Sequence, residues 1–357
     1  MTMTAQKTAM ALATGLLLAT SAFAQTAPSV TLYGRLELGI ESANDGALTR
    51  TMLQNFASRF GIKGERGISS DLTGLFQVET GIAPDETGLS KTLASRNSFV
   101  GLKSNSFGSV LVGTYDSPLK SLDAGGFAGT LYGEGEAMEV IIHGKGTATA
   151  ISSGFNDVHL RQKNNLVYLS PKFADMVVKA AYSPDEVQTA TTNQPLYAAS
   201  LEWNNGTYNA GIATQSKAVS DKTFAMTATK FTLGAKMNNL SGAIVVSNLD
   251  NQATTAANAR KTTNTLFVVN YVDGAMTYKF NYGMSGESAS NAADDLTMLA
   301  LEAAYALDKN TILFGSYAQI TNNTKARGTF TNADNFPVTG VAGNDPSAIT
   351  LGMRYVF

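Results

Sequence analysis

Residues 31–41 read TLYGRLELGIE, and polarity alternates from one residue to the next. One face is apolar or glycine and carries Leu32, Gly34, Leu36, Leu38 and Ile40. The other face is mostly polar and carries Thr31, Tyr33, Arg35, Glu37, Gly39 and Glu41. Successive side chains of a β-strand point to opposite faces, so this period of two predicts a strand with one apolar and one polar surface.

The same alternation recurs along the whole chain. About sixteen segments show it, each near the roughly 9–11 residues that a tilted membrane strand requires. They are 29–43, 57–65, 71–83, 94–104, 107–116, 161–171, 174–183, 196–204, 206–215, 223–236, 240–249, 262–272, 275–285, 296–306, 311–320 and 347–357. An even number of such segments predicts a closed antiparallel barrel.

The connections between these segments have two lengths. Residues 204–205, 273–274 and 307–310 form tight turns, whereas 44–56, 117–160, 249–261 and 321–346 are long and polar. Transmembrane barrels have short turns at one rim and longer loops at the other. The lengths therefore favour a barrel that crosses a membrane.

A soluble β-sandwich would also alternate in polarity, with its apolar face turned inward. Three features favour a membrane barrel, whose apolar face is turned outward: hydropathy near zero with only 15% charged residues, aromatic residues near strand ends, and a final Phe357. No window after the first 24 residues is long and apolar enough for a spanning helix, so a membrane protein of this sequence must cross with strands.

Residues 1–24, MTMTAQKTAMALATGLLLATSAFA, have the pattern of a secretory signal: a charge at Lys7, an apolar run, and Ala22-Phe23-Ala24 before the cleavage site. The leader carries one Lys and no acid, so residues 25–357 would hold 25 basic and 28 acidic side chains. This balance argues against a nucleic-acid partner. The chain has no Cys, which excludes thiolate chemistry, and we predict neither a cofactor nor a metal site.

Residues 117–160 interrupt the alternation with a long glycine-rich stretch. A structureless segment of this length inside a compact domain argues against the assignment unless the segment is itself the functional part. We therefore expect it to fold into the mouth of the barrel and to narrow it.

Several segments, in this order, resemble the general porins of Gram-negative bacteria, particularly those of β-proteobacteria. The segments are SVTLYGRLELGI at 29–40, SRFGIKGE at 58–65, LTGLFQVETG at 72–81, RNSFVGL at 96–102, FGSVLVG at 107–113 and the closing GMRYVF at 352–357. The resemblance implies an all-β, 16-stranded transmembrane barrel of residues 25–357, a homotrimer in contact with outer-membrane lipid and lipopolysaccharide. It further implies an inward-folded third extracellular loop, residues 117–160, and a terminal aromatic signal at Tyr355 and Phe357 that the barrel-assembly machinery recognises.

The resemblance also implies a row of basic wall residues opposite acidic loop residues. Arg59 and Arg96 match the family's positions, and Arg35, Lys63 and Arg161 are further candidates. The facing acids would come from Asp116, Asp123, Glu134, Glu136 and Glu139. Opposed rows of fixed charge favour ions and small hydrophilic solutes over apolar molecules and bias cations against anions.

This chain departs from the family pattern after its fifth segment. Many members have Gly-Arg-Gln there, whereas this chain has Gly113-Thr114-Tyr115-Asp116, so one basic constriction residue is missing. The usual opening of the loop is also displaced.

Two alternatives to a passive diffusion channel stay open. A hydrolase would need a His aligned with a nucleophile, and His143, His159, Ser152 and Ser153 offer only proximity in sequence. We therefore expect both histidines to be ordinary polar loop residues. An adhesin or structural barrel with a blocked lumen would show no ion conductance.

Overall fold

The computed structural model describes residues 28–86, 92–123, 126, 131–133, 136–143, 158–190, 192–218, 225–251, 261–288, 292–330 and 340–357. The predicted leader, residues 1–24, lies outside the described residues. Within them the chain forms one antiparallel sheet of 17 strand segments. No helix of the described residues is long and apolar enough to cross a membrane.

The strands follow one another around the sheet in chain order. They are β1 Ser29–Asn44, β2 Thr49–Asn55, β3 Arg59–Gly67, β4 Leu72–Gly81, β5 Ser98–Ser104, β6 Gly108–Asp116, β7 Arg161–Leu169, β8 Met176–Ser183, β9 Leu196–Asn204, β10 Tyr208–Ala218, β11 Ala225–Met237, β12 Leu240–Asp250, β13 Lys261–Asp273, β14 Met276–Ser285, β15 Leu296–Ala306, β16 Thr311–Asn322 and β17 Ser347–Val356.

The sheet closes between its first and last strands. β1 pairs with β17 along one edge, from Arg35 opposite Val356 to Asn44 opposite Ser347. Along its other edge β1 pairs first with β3 and then with β2, so these two segments together form one barrel strand. The 17 segments therefore make a closed 16-stranded antiparallel barrel, which confirms the predicted fold class.

The interrupted strand corrects one prediction. Residues 44–56 were expected to form a long loop, but Thr49–Asn55 is a strand and the turn spans only 45–48. β1 has 16 residues, more than the roughly 9–11 needed to cross a membrane, so its end and β2 extend as a polar hairpin beyond the apolar zone. β2 and β3 are separated at Ala57, whose φ of 57° breaks the regular ladder.

The two faces of the barrel differ as the alternation predicts. Leu32, Ile40 and Leu351 point outward and are 60%, 63% and 69% exposed. Glu37 and Glu41, on the opposite face of β1, are buried inside the barrel. The apolar face is therefore the outer one, and a soluble sandwich is excluded because its apolar face would be covered.

Aromatic side chains mark the rim with the short turns. Tight connections at 205–207, 238–239 and 274–275 lie at this rim, together with both ends of the described barrel. The exposed rings near it are Phe107, Phe173, Tyr208, Tyr271, Tyr278, Tyr305, Tyr355 and Phe357. Such a belt is typical of a membrane–water interface.

The described parts of 117–160 lie inside the barrel against its wall. A short helix, α1 Pro118–Ser121, is capped by Ser117, whose hydroxyl accepts a hydrogen bond from the Lys120 N–H at 3.1 Å. A π-helical turn follows at Met138–Ile142. Ile141 and Ile142 of this turn pack in an apolar cluster with residues of β12 to β17, among them Val245, Leu266, Val268, Met298 and Ile320.

A second apolar cluster holds both ends of this segment. Leu119, Leu122 and Val158 pack against Ala213, Met226, Ala228 and Leu249 on β10, β11 and β12. The inner face is therefore apolar where the segment covers it, which alternation alone did not predict. Burial of these side chains holds the described parts of residues 117–160, the inner segment, packed on the β10–β17 side of the interior. In this packed state the segment is seated on the wall.

Candidate functional site: a charged inner wall

Most of the predicted basic residues lie on the inner wall beside the part that residues 117–160 cover. Arg35 on β1 lies directly opposite Arg59 on β3 in the strand register. Arg96 lies two residues before β5, and Arg161 is the first residue of β7. Side-chain exposures of 19% for Arg35, 20% for Arg96 and 17% for Arg161 show that water reaches these inward-facing guanidinium groups.

Carboxylates of the wall itself, rather than of the loop, pair with most of these arginines. The Arg35 Nε lies 3.5 Å from Glu37 Oε2, and the Arg96 Nε donates to Glu79 Oε1 at 2.6 Å. Arg161 lies 3.3 Å from Asp116 Oδ1. Asp116 is the last residue of β6, so it belongs to the wall and neutralises a basic residue there.

Two of the five basic candidates differ from the rest. Among the residues that the structure describes, Arg59 has no carboxylate within ion-pair distance, although Glu79 acts on it electrostatically. Lys63 is exposed further along β3, with its Nζ 5.1 Å from the centre of the Tyr33 ring. The structure does not bring Lys63 into the arginine row.

The acidic candidates of 117–160 differ from one another in exposure and in partners. Asp123 is exposed and accepts a hydrogen bond from the Gly126 N–H at 3.1 Å. Glu139 lies 3.5 Å from Lys120 Nζ and 3.1 Å from His143 Nδ1, and both of these groups belong to its own segment. Glu134 lies outside the described residues. Asp123 and Glu139 also act electrostatically on the buried Lys230 of β11, and their place at the constriction stays a prediction.

Glu136 is the described loop acid that interacts electrostatically with the row. Arg35 and Glu37 both act on its carboxyl group, and burial together with Glu139 raises the pKa of Glu136 to about 7. Near neutral pH this carboxyl group therefore carries only part of a negative charge.

Three further charged wall residues and one loop ring belong to this site, and sequence reasoning missed them. Arg354 on β17 donates from Nε to Glu37 Oε2 at 2.7 Å. Lys279 on β14 lies 3.0 Å from Glu302 on β15. Tyr132 lies between these two cations. Glu37 and Arg354 both lie on polar strand faces, but only closure of the first strand on the last makes them neighbours.

The two histidines are buried, contrary to the expectation of ordinary polar loop residues. The His143 and His159 rings stack with centres 4.5 Å apart and planes 21° apart. Burial lowers the pKa of His143 to about 4 and holds that of His159 well below its usual value. Ser152 and Ser153 lie outside the described residues. No group of three or more potential metal ligands occurs in the described part of the chain.

The closed barrel, its apolar exterior and its charged interior define a transmembrane β-barrel. Residues 8–325 match the family model described as Gram-negative porin, and the chain belongs to that family. Family membership and its named relatives place the protein in the outer membrane.

Curated relatives match part of the chain. Major outer membrane protein P.IB of Neisseria gonorrhoeae is 27% identical over 195 residues, which cover 52% of this chain and 51% of the relative. The P.IB protein of Neisseria meningitidis serogroup B is 35% identical over 102 residues, covering 26% and 29% of the two chains. The chain thus spans about half the length, or less, of these relatives.

Solved structures share the fold over nearly the whole chain. The anion-selective porin from Comamonas acidovorans has a TM-score of 0.78 at 22% identity, covering 93% of this chain and 100% of that one. The trimer form of OmpT of Vibrio cholerae has a TM-score of 0.64 at 16% identity, with coverages of 93% and 100%. At these identities the likeness concerns the fold.

Proposed function

We propose that the protein is a general diffusion porin, a water-filled channel for ions and small hydrophilic solutes. The proposal rests on one observation: several arginines face the interior of the barrel and are partly exposed there, although the exterior of the barrel is apolar. Charged side chains inside a membrane barrel are favourable only when water or counter-charges solvate them. A hydrated, charged interior is the property that a diffusion channel needs.

We place the constriction between the arginine row and residues 117–160. The apolar clusters seat that segment on the β10–β17 side, while Arg35, Arg59, Arg96 and Arg161 extend from β1 to β7. A solute passing between them meets guanidinium groups on one side. Oriented water and fixed charge there favour polar solutes over apolar ones.

We propose a weak preference for anions. Arg59 has no ion-pair partner among the described residues, whereas the neighbouring arginines share wall carboxylates. The structurally similar Comamonas protein is described as anion-selective. Because the row is hydrated, ions screen it over about 8–10 Å, and the preference should weaken as salt rises.

The reversal potential of the purified protein in a planar bilayer under a salt gradient tests this function. We expect discrete conductance steps and a potential displaced to the anion side. Absence of steps from verifiably folded protein would favour the blocked, adhesin-like barrel instead.

The double substitution of Arg59→Gln and Arg96→Gln tests the arginine row. Removal of two cations should shift the reversal potential toward cations, whereas Lys63→Gln, outside the row, should shift it much less. An unchanged potential in the double variant would contradict the assignment of these arginines to the constriction.

Four further properties are part of the proposal. The protein is proposed to be a homotrimer, supported by the trimer form of the Vibrio OmpT structure. Residues 1–24 are proposed as a cleaved leader. Tyr355 and Phe357, whose rings lie 6.4 Å apart on the outer surface, are proposed as the assembly signal. No catalytic role is proposed, since the buried, stacked histidines present no free face to a substrate.

A further inference from the structure

Within residues 117–160, the short stretch 131–133 places one aromatic ring against two cations of the wall. The centre of the Tyr132 ring lies 4.0 Å from Lys279 Nζ and 4.0 Å from Arg354 Cζ. Both cations are well within the roughly 6 Å over which a ring face attracts a positive charge. The ring therefore contacts two wall cations that come from β14 and β17.

The backbone of this stretch donates hydrogen bonds to the two carboxylates that pair with these cations. The Tyr132 N–H donates to Glu302 Oε2, and the Gly133 N–H donates to Glu37 Oε1 at 3.4 Å. Glu302 is also 3.0 Å from Lys279, and Glu37 accepts from Arg354. Each carboxylate thus binds its wall cation and the loop backbone together.

Packing holds the ring in place. Tyr132 is only 9% exposed and lies 5.1 Å from the Phe314 ring, in a cluster with Phe56. Gly133 has a φ of +66°, and a Cβ at this position would lie 3.1 Å from both Ser316 Oγ and Thr350 Oγ1. The stretch therefore lies close against β16 and β17, with little room to move.

The two cations that contact the Tyr132 ring, Lys279 and Arg354, have little exposure to solvent. The Lys279 side chain is 11% exposed and that of Arg354 is 14% exposed, although both extend from inward-facing strand positions. Arg35 and Arg354 share the carboxylate of Glu37, and Lys279 pairs with Glu302. The Tyr132 ring lies against the two cations, Arg354 and Lys279, that these carboxylates bind.

We propose that Tyr132 limits the anion preference of the channel by covering Arg354 and Lys279 and so weakening their field in the lumen. The inference rests on the proposed channel function. Rings of exposed charge bias ion passage. With the ring removed, both cations would hydrate and face the lumen, and anions would gain a favourable contact that cations would not.

Tyr132→Leu tests this inference, because leucine keeps apolar bulk and the backbone donors but has no ring face. We expect the ratio of anion to cation permeability, measured from reversal potentials in planar bilayers, to rise by about twofold or more. Tyr132→Phe keeps the ring and should match the unsubstituted protein. Equal permeability ratios for the leucine and phenylalanine variants would overturn the inference.

A second background separates the effect of charge from a general loosening of the loop. Arg354→Gln removes one covered cation while Glu37 keeps Arg35 as a partner. In this background the shift caused by Tyr132→Leu should fall by about half, since the two changes act on one contact. A shift of undiminished size would show that Tyr132 acts only by holding the loop, and would overturn the inference.

The unsubstituted protein distinguishes the two proposals. If it conducts and the Tyr132→Leu variant has the same ion preference, the inference about Tyr132 fails and the channel function stands. If the folded, unsubstituted protein does not conduct, the proposed function fails and the inference fails with it.

Discussion

Glu37 connects more parts of the inner wall than any single arginine of the row does. Its carboxylate pairs with Arg35 and Arg354 and accepts from the Gly133 N–H, and its side chain is 1% exposed. One buried acid therefore joins the first strand, the last strand and the inner segment. At the residue scale, the wall is stabilised by such shared carboxylates.

Replacement of Glu37 by Gln should destabilise the barrel. The change leaves Arg35 and Arg354 with a neutral partner in a largely buried place, and we expect a loss of about 2 kcal/mol or more in the free energy of unfolding. Urea titration of the protein in lipid vesicles measures it. Glu65→Gln, at an exposed position of β3, is the control and should change little. Equal midpoints for the two variants would contradict the role of Glu37.

Gly133→Ala should loosen residues 131–133. Alanine at a φ of +66° is strained by about 1–2 kcal/mol, and its Cβ would also crowd Ser316 and Thr350. Gly126→Ala is a matched control, because its φ is +82° but, among the residues that the structure describes, none crowds the added Cβ within 4 Å. Proteolysis within 117–160 should be faster in the Gly133 variant than in the Gly126 variant. Equal rates would show that crowding on β16 and β17 does not hold the loop.

At the scale of elements, the inner segment combines apolar contacts with buried titratable groups. The π-helical turn places Ile141 so close to β14 that a Cβ on Gly283 would lie 2.6 Å from Ile141 Cγ1. His143 directly follows the π-helical turn, and His159 lies two residues before β7; their rings stack on each other. Seating the segment therefore buries both imidazoles.

The two buried histidines should make a contribution that weakens the packing of this segment on the wall as the pH falls. An imidazole in the unseated segment titrates near pH 6.5, whereas burial lowers the pKa of His143 to about 4. Between pH 6.5 and pH 4 the imidazole binds a proton when the segment is released from the wall but not when it is packed there. The packed state therefore loses stability as the pH falls through this range. For His143 alone the loss reaches about 3 kcal/mol near pH 4.

Other charged groups act on the same two rings. Glu139 favours protonation of both rings, whereas Lys120 and the buried Lys230 oppose it. Glu136 acts in the opposite sense on seating: its raised pKa stabilises the seated state as the pH falls from about 7 toward 4.5. The histidine contribution must therefore be measured as a difference between variants.

The pair His143→Asn and His159→Asn isolates this contribution, because Glu136 is unchanged. Proteolysis within 117–160, followed from pH 7.5 to pH 4.5, should accelerate more in the unsubstituted protein than in the double variant. Parallel pH profiles for the two proteins would contradict a role for the buried imidazoles in seating.

At the scale of the whole molecule, an apolar outer surface and a charged interior are carried by the same strands. Leu351 points outward near the middle of β17, while Arg354 on the same strand points inward and is bound by Glu37. One strand thus places one residue in lipid and the other beside the lumen. The direction of each side chain, rather than its position in the sequence, determines its solvent.

Leu351→Arg should destabilise the barrel in a bilayer by about 2–4 kcal/mol, because arginine on the lipid face near the midplane must be desolvated. The folding yield and the urea midpoint in phospholipid vesicles report the change. Val187→Arg is the control, since Val187 is also exposed but lies in the connection between β8 and β9. Similar stability of the two variants would contradict the membrane orientation of β17.

Much of the architecture is local and follows from the sequence alone. The alternation at residues 31–41 determines a strand with two different faces, and its recurrence determines a barrel of sixteen strands whose predicted limits lie mostly within a few residues of the structure. The error at residues 44–56 has a local cause as well. Polar residues extend a strand beyond the membrane, where alternation of apolar and polar residues is no longer required.

The charge layout, in contrast, was decided by tertiary structure. Arg35, Arg59, Arg96 and Arg161 could be identified as wall residues from strand faces and motifs, but the carboxylates that pair with them could not. Glu37 meets Arg354 only because the first strand pairs with the last, 317 residues away in sequence. Tyr132, Glu136 and the two histidines acquire their surroundings only when residues 117–160 pack on the inner wall. A period of two specifies which way a side chain points, whereas its partner across a closed barrel depends on register and loop packing that no local pattern encodes.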